Sequence, residues 1–84
     1  NSKVLIISDS IFNLPEKNID IFLATFDENI YFYNIKFKNL KAYLLKMIDL
    51  PFKDNYFDYC ITDSGLKNVL LDELNRVSNH VFFN

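Results

Sequence analysis

The run Val4-Leu5-Ile6-Ile7, closed off by Lys3 on one side and Ser8-Asp9-Ser10 on the other, constrains this chain more than any other feature. A strand with water on one face alternates apolar and polar residues. An unbroken apolar run rich in β-branched residues and bounded by turn residues belongs instead to a strand buried on both faces, as inside a parallel sheet. Helices must cover those faces, so an α/β fold is expected.

The 84 residues have room for a single α/β domain, 1–84. A chain this short buries roughly 60–68% of the surface it would expose unfolded, so its margin of stability is thin. Half of the residues are hydrophobic and 17% are aromatic, which forces some rings toward the surface. A second copy of the chain or a protein partner would cover them, so a homo-oligomer or protein complex is expected. The formal net charge of -2 offers no general attraction to nucleic acid or to acidic membranes. Apolar runs such as Ile21-Phe22-Leu23-Ala24 are too short to cross a bilayer, so no membrane association is expected. No signal-peptide pattern opens the sequence, and its single cysteine, Cys60, has no internal partner. A reducing, cytoplasmic setting is therefore expected.

Ile19 to Phe26 reads as a second strand and Ile30 to Phe37 as a third, with Asp27-Glu28-Asn29 as the turn between them. So short a break permits a hairpin, which would be antiparallel; two separated strands are the alternative. From Asn39 the period changes. Leu40, Tyr43, Leu44, Met47 and Ile48 line one face of a predicted helix, capped by Asn39 and ended by Pro51. Asp54-Asn55 makes a turn, and Tyr56 to Thr62 a strand. Asp63 or Ser64 then caps a second helix with the stripe Leu66, Val69, Leu70, Leu74 and Val77, and Val81-Phe82-Phe83 closes the chain as a strand. The predicted order is β-β-β-α-β-α-β, a small mixed sheet with two helices.

Leu50-Pro51-Phe52-Lys53-Asp54-Asn55-Tyr56-Phe57-Asp58-Tyr59-Cys60-Ile61, followed by Asp72-Glu73-Leu74-Asn75-Arg76-Val77, resembles two motifs of class I S-adenosylmethionine-dependent methyltransferases. Lys3 to Ile7 resembles that family's first strand. The resemblance implies a Rossmann-like fold in the C-terminal half. It also implies a cofactor site near Asp9, Asp27 and Asp63, with Asp27 in the place of the carboxylate that holds the ribose. The family's glycine-rich turn lets backbone amides approach the cofactor. Here the turn reads Ser8-Asp9-Ser10-Ile11-Phe12, without glycine. Lys46 stands where the family places an acidic residue near the adenine, and Ser78-Asn79-His80 replaces its Pro-Gly-Gly turn. The segment from Ser8 to Asn18 is short for a helical crossover. These departures describe a degenerate, shortened relative, with no cofactor expected.

Other candidate chemistry has simpler explanations. His80 lacks an orienting neighbour and reads as a strand-edge or turn residue. Cys60 lies in an apolar strand, where a thiol acts as a small hydrophobe, and with His80 alone it falls short of a metal site. Asp63 reads first as a helix cap. Glu73 and Arg76 read as an exposed pair worth a few tenths of a kcal/mol. Lys36, Lys38, Lys41 and Lys46, interleaved with Tyr33, Phe37 and Tyr43, could serve single-stranded nucleic acid, although a solvated lysine face explains them as well.

The expectation is therefore a non-catalytic, self-associating, methyltransferase-like interaction or assembly module. The enzyme alternative is a methyltransferase that is minimal or completed by a partner. The third reading is a nucleic-acid binder using the Lys36–Lys46 segment.

Overall fold

The computed structural model describes residues 2–8, 19–36 and 40–83. The elements run β1 (Ser2–Ile7), β2 (Ile19–Thr25), α1 (Glu28–Asn34), β3 (Leu40–Leu44), β4 (Phe57–Thr62), a 3₁₀ turn (Ser64–Leu66), α2 (Lys67–Val77) and β5 (Ser78–Phe83). The five strands form one sheet in the order β3-β2-β1-β4-β5. Every neighbouring pair is parallel, and β1 lies at the centre between β2 and β4. Val4–Ile7 takes the central place expected of it, but only Leu5 and Ile7 on the front are buried, and Val4 and Ile6 on the back are half-buried.

Each face has its own core. On the front face Leu5, Ile7, Phe22, Ala24 and Cys60 meet Leu70, Leu74 and Val77 of α2, with Leu45, Leu50 and Phe57 completing the cluster. On the back face Ile21, Leu23 and Leu40 form a smaller core, against which Ile6 and Ile30 of α1 pack. Phe57 is fully buried, and its ring meets Phe22, Phe52 and Tyr56 edge-on with centroids 4.8–5.1 Å apart. Edge-to-face pairs of this kind add to the area term by aligning ring quadrupoles.

The structure exchanges two predicted elements. Residues 28–34, expected as strand, form α1, and residues 40–44, expected as the start of a helix, form β3. The hairpin does not form, and the sheet is parallel rather than mixed. Asp27 starts α1 as its N-cap, with its carboxylate accepting the amides of Asn29 (2.8 Å) and Ile30 (3.3 Å). Buried Asn34 closes the helix, its side-chain amide donating to Ile30 O at 2.7 Å. In β3, Leu40, Ala42 and Leu44 share one face and Lys41 and Tyr43 the other, in register with β2. Met47 and Ile48, assigned to the apolar helical stripe, are exposed. Asn39 and Phe37 lie outside the described residues.

Two connections bear on the expectations. β1 and β2 are parallel neighbours; residues 9–18 between them, read as short for a helical crossover, lie outside the described residues. α2 runs directly into β5. Its C-cap, Ser78, is already extended, and its hydroxyl donates to Leu74 O at 2.7 Å.

Candidate functional site at the strand ends

In an open parallel sheet, strand order reverses direction at one point, and the crevice outside the strand C-termini there is the usual ligand position. Here that point lies between β1 and β4, since the chain builds outward from β1 to β2 and β3 and then returns to β4 on β1's other side. Ser8 follows β1, Thr62 ends β4 and Asp63 follows it. The Ser8 hydroxyl donates to Asp63 Oδ2 at 3.5 Å, and the Ser8 amide donates to Ala24 O at 3.3 Å. Thr62 is 1% exposed, and its hydroxyl has no hydrogen-bond partner among the described residues. A buried hydroxyl without a partner carries a desolvation cost that a ligand's polar atom could relieve.

The candidate carboxylates fare differently. Asp63 lies at the reversal point beside Ser8. Its backbone carbonyl starts the 3₁₀ turn by accepting Leu66 N at 3.0 Å. No side chain caps α2, whose N-cap is Leu66, so the capping expected of Asp63's carboxylate is corrected. Asp27 follows β2 and sits at the same end of the sheet. One of its oxygens is engaged in capping α1, and the other has no hydrogen-bond partner among the described residues. Asp9 lies outside the described residues. The sequence did not single out Thr62; its place at the end of an apolar strand was the available signal.

Two described groups bear on the S-adenosylmethionine site that the resemblance implies. Asp27's second oxygen and the Thr62 hydroxyl are groups that a nucleoside could use. Lys46 is exposed, with a cationic side chain where the family's acidic residue would stand. Residues 8–12, which follow β1 in sequence, include no glycine.

The remaining candidates are structural. Cys60 is fully buried, and burial pushes its thiol up to about 12, far from nucleophilic use at neutral pH. His80 lies stacked against Tyr59, centroids 5.6 Å apart. No group of three or more His, Cys, Asp or Glu able to hold a metal occurs among the described residues. No helix among them is long and apolar enough to cross a membrane.

The Leu50–Asp54 loop is tied to α2 by Glu73 and Arg76, a pair more engaged than the exposed one expected. Arg76 donates to Glu73, Asp54 Oδ1, Phe52 O and Leu50 O, all at 2.8–2.9 Å. The two methyltransferase-like motifs are therefore in contact, one holding the other.

Two lysines of the lysine segment lie on opposite faces of the sheet. Lys36 sits over the Tyr33 ring at 4.3 Å beside α1, on the back of the sheet. Lys41 sits over Phe22 at 4.8 Å on the front. Lys38 lies outside the described residues. On the front, Phe22, Tyr43, Pro51, Phe52, Lys53 and Tyr56 line an open hollow of about 220 Å³. That is below the roughly 300–1,000 Å³ common for small-molecule pockets.

One further feature escaped the sequence reading. Tyr59, His80 and Phe82 alternate with Cys60 and Val81, so they project from the back face. Tyr59 lies 6.0 Å from Phe82 as well as against His80. All three are exposed, Phe82 at 52%. α1 lies over β2 and β3, so among the described residues the back of β4 and β5 is uncovered.

A parallel sheet ordered β3-β2-β1-β4-β5, with α2 against its front and α1 against its back among the described residues, defines a Rossmann-like α/β domain. Among solved structures it is similar to the crystal structure of a SAM-dependent methyltransferase from Aquifex aeolicus, with a TM-score of 0.66 and 15% identity over 92% of this chain. The fold is methyltransferase-like. The chain spans 50% of the length of that structure. No protein-family profile matches the sequence, and no curated protein matches it.

Proposed function

We propose that this chain is a methyltransferase-like domain acting as a non-catalytic assembly module that self-associates. The observation that carries this reading is the exposed ladder of Tyr59, His80 and Phe82, which nothing among the described residues covers. Exposed aromatic surface of this kind favours association, because covering it removes apolar area from water. Sedimentation equilibrium of the chain up to high micromolar concentration tests it. A concentration-dependent mass above the 10.0 kDa of one chain is expected, and a monomer throughout would overturn self-association.

A second reading is favoured by the buried Thr62 hydroxyl at the strand-order reversal. In it the chain is an S-adenosylmethionine-dependent methyltransferase, minimal or completed by a partner. The cofactor would supply an electrophilic methyl group, with Asp27, Asp63 and Thr62 nearest to it. Calorimetric titration with S-adenosylmethionine and S-adenosylhomocysteine separates the readings. Saturable micromolar binding supports the second, and none from a folded oligomer supports the first.

A further inference from the structure

We propose that the aromatic hollow on the front of β2 and β3 binds a small planar anion, a single aromatic ring carrying one carboxylate or phosphate group. Ser8, Asp27, Thr62 and Asp63 take no part in its lining, so it is separate from the strand-end crevice. Nor does it depend on self-association.

Four rings from β2, β3 and the segment before β4 give the hollow its walls. Phe22 and Tyr43 lie nearly parallel, at 11°, and Phe52 and Tyr56 likewise, at 12°. The two pairs stand close to a right angle, with Phe22 and Tyr56 at 87° and Tyr43 and Phe52 at 84°. Fully buried Phe57 backs three of them edge-on, which holds the walls in place. Tyr43, Phe52 and Tyr56 are half-buried, so part of each ring stays open to a ligand. A cavity of about 150 Å³ takes benzene. The hollow's volume of about 220 Å³ therefore admits one ring with an anionic substituent.

Charge selects the occupant. Lys41 Nζ sits over the Phe22 ring at 4.8 Å, Lys3 Nζ sits over the Tyr56 ring at 4.7 Å, and Lys53 lines the hollow itself. No carboxylate lines it among the described residues. Asp20 pairs with Lys3 in the β1–β2 register, and Asp58 accepts the Lys3 amide at 2.9 Å. Even so, none of Lys3, Lys41 and Lys53 forms an ion pair among the described residues, and Asp54, next to Lys53, is held by Arg76. Three ammonium groups repel the quaternary ammonium ligands that aromatic boxes otherwise take. An anion is their complement. Its ring covers the aromatic walls, and its oxygens accept charge-assisted hydrogen bonds from Lys41 and Lys53.

The test is titration of the isotope-labelled chain with phenyl phosphate and with benzoate, followed by backbone amide NMR shifts. Saturable shifts at Phe22, Tyr43, Phe52, Lys53 and Tyr56 in the millimolar range are expected with at least one of them. The tighter of the two identifies the anionic group. Benzyl alcohol and benzyltrimethylammonium, the neutral and cationic counterparts, are expected to bind more weakly. Equal binding by either, or by inorganic phosphate, would overturn the proposal, as would no saturable shift with both anions. Lys41→Gln combined with Lys53→Gln alters two exposed residues, so the variant is expected to fold, with far-UV circular dichroism as the control. It should bind the preferred anion roughly fivefold more weakly. Unchanged affinity would overturn the site as drawn.

Discussion

Glu73 and Arg76, three residues apart on α2, grip the same residue from both sides. Glu73 Oε1 accepts the Leu50 amide at 2.8 Å, while Arg76 Nη2 donates to the Leu50 carbonyl at 2.9 Å. The two side chains also bind each other through Nε–Oε2 and Nη2–Oε1. Arg76 thus places all five of its N–H donors, the remaining two on Phe52 O and Asp54 Oδ1. A planar fork suits this geometry and an ammonium group does not. Arg76→Ala is expected to lower Tm by roughly 4–8 °C, with Arg76→Lys recovering only part of the loss. Thermal unfolding followed by circular dichroism checks this, and a lysine variant equal to the unmodified protein would refute it.

The same pair makes stability depend on acid. The hydrogen bond from Arg76 holds the Glu73 carboxyl below its ordinary value of 4.5, with burial opposing and the Leu50 amide assisting. A carboxylate depressed on folding stabilises above its unfolded pKa and loses that contribution as pH falls through the folded one. The loss from this group therefore begins near pH 4.5 and deepens below it. Glu73→Gln should be less stable than the unmodified chain at pH 7, with the gap narrowing by about pH 3. Urea unfolding at both values measures it, and a constant gap would count against the linkage.

Cys60 should be inert in the native state. Its thiol is buried and pushed up to about 12, so a disulfide-exchange reagent at pH 8 should label it only at the rate of unfolding. Rapid labelling of the folded protein would show an opening at the centre of β4. Cys60→Ser is expected to cost about 1–3 kcal/mol, because a hydroxyl there needs a partner that the apolar cluster lacks.

Thr62→Val replaces a buried hydroxyl that has no partner among the described residues by a methyl group of similar size. Stability should stay level or rise by up to about 1 kcal/mol. A clear loss in chemical denaturation would mean that the hydroxyl has a partner in the folded chain. Under the methyltransferase reading the same variant should also weaken cofactor binding.

Lys36 and Lys41 serve different faces, so these two offer a single-stranded oligonucleotide no common track. Fluorescence anisotropy with labelled oligothymidine should show no saturable binding at about 150 mM salt. Binding that falls steeply as salt rises would restore the nucleic-acid reading.

Val4–Ile7 and the Tyr56–Thr62 region were legible as strands because apolar runs bounded by turn residues leave little freedom of type. α2 was legible through Leu70, Leu74 and Val77, all fully buried, whereas Val69 of the expected stripe is exposed. Asn55 was legible as a turn residue and adopts φ 55°, a left-handed conformation that asparagine tolerates. Of the candidate site, Asp27 and Asp63 could be placed at strand ends from the chain alone, whereas Thr62 needed the sheet. Its hydroxyl matters only because Ile7 pairs beside it and leaves it dry.

The sequence by itself determined an α/β domain: an apolar central strand, a later strand, and an amphipathic helix after it. It also carried the two motifs that resemble methyltransferases. Tertiary structure decided residues 28–44. Ile30–Asn34 is aromatic enough for a strand yet forms α1, and Leu40, Tyr43 and Leu44 have helical spacing yet belong to β3. Local propensity is weak there, since both segments suit either state. The open edge of β2 decides between them: Leu40 gains burial beside Ile21 and Leu23, and a parallel partner needs a crossover, which α1 supplies.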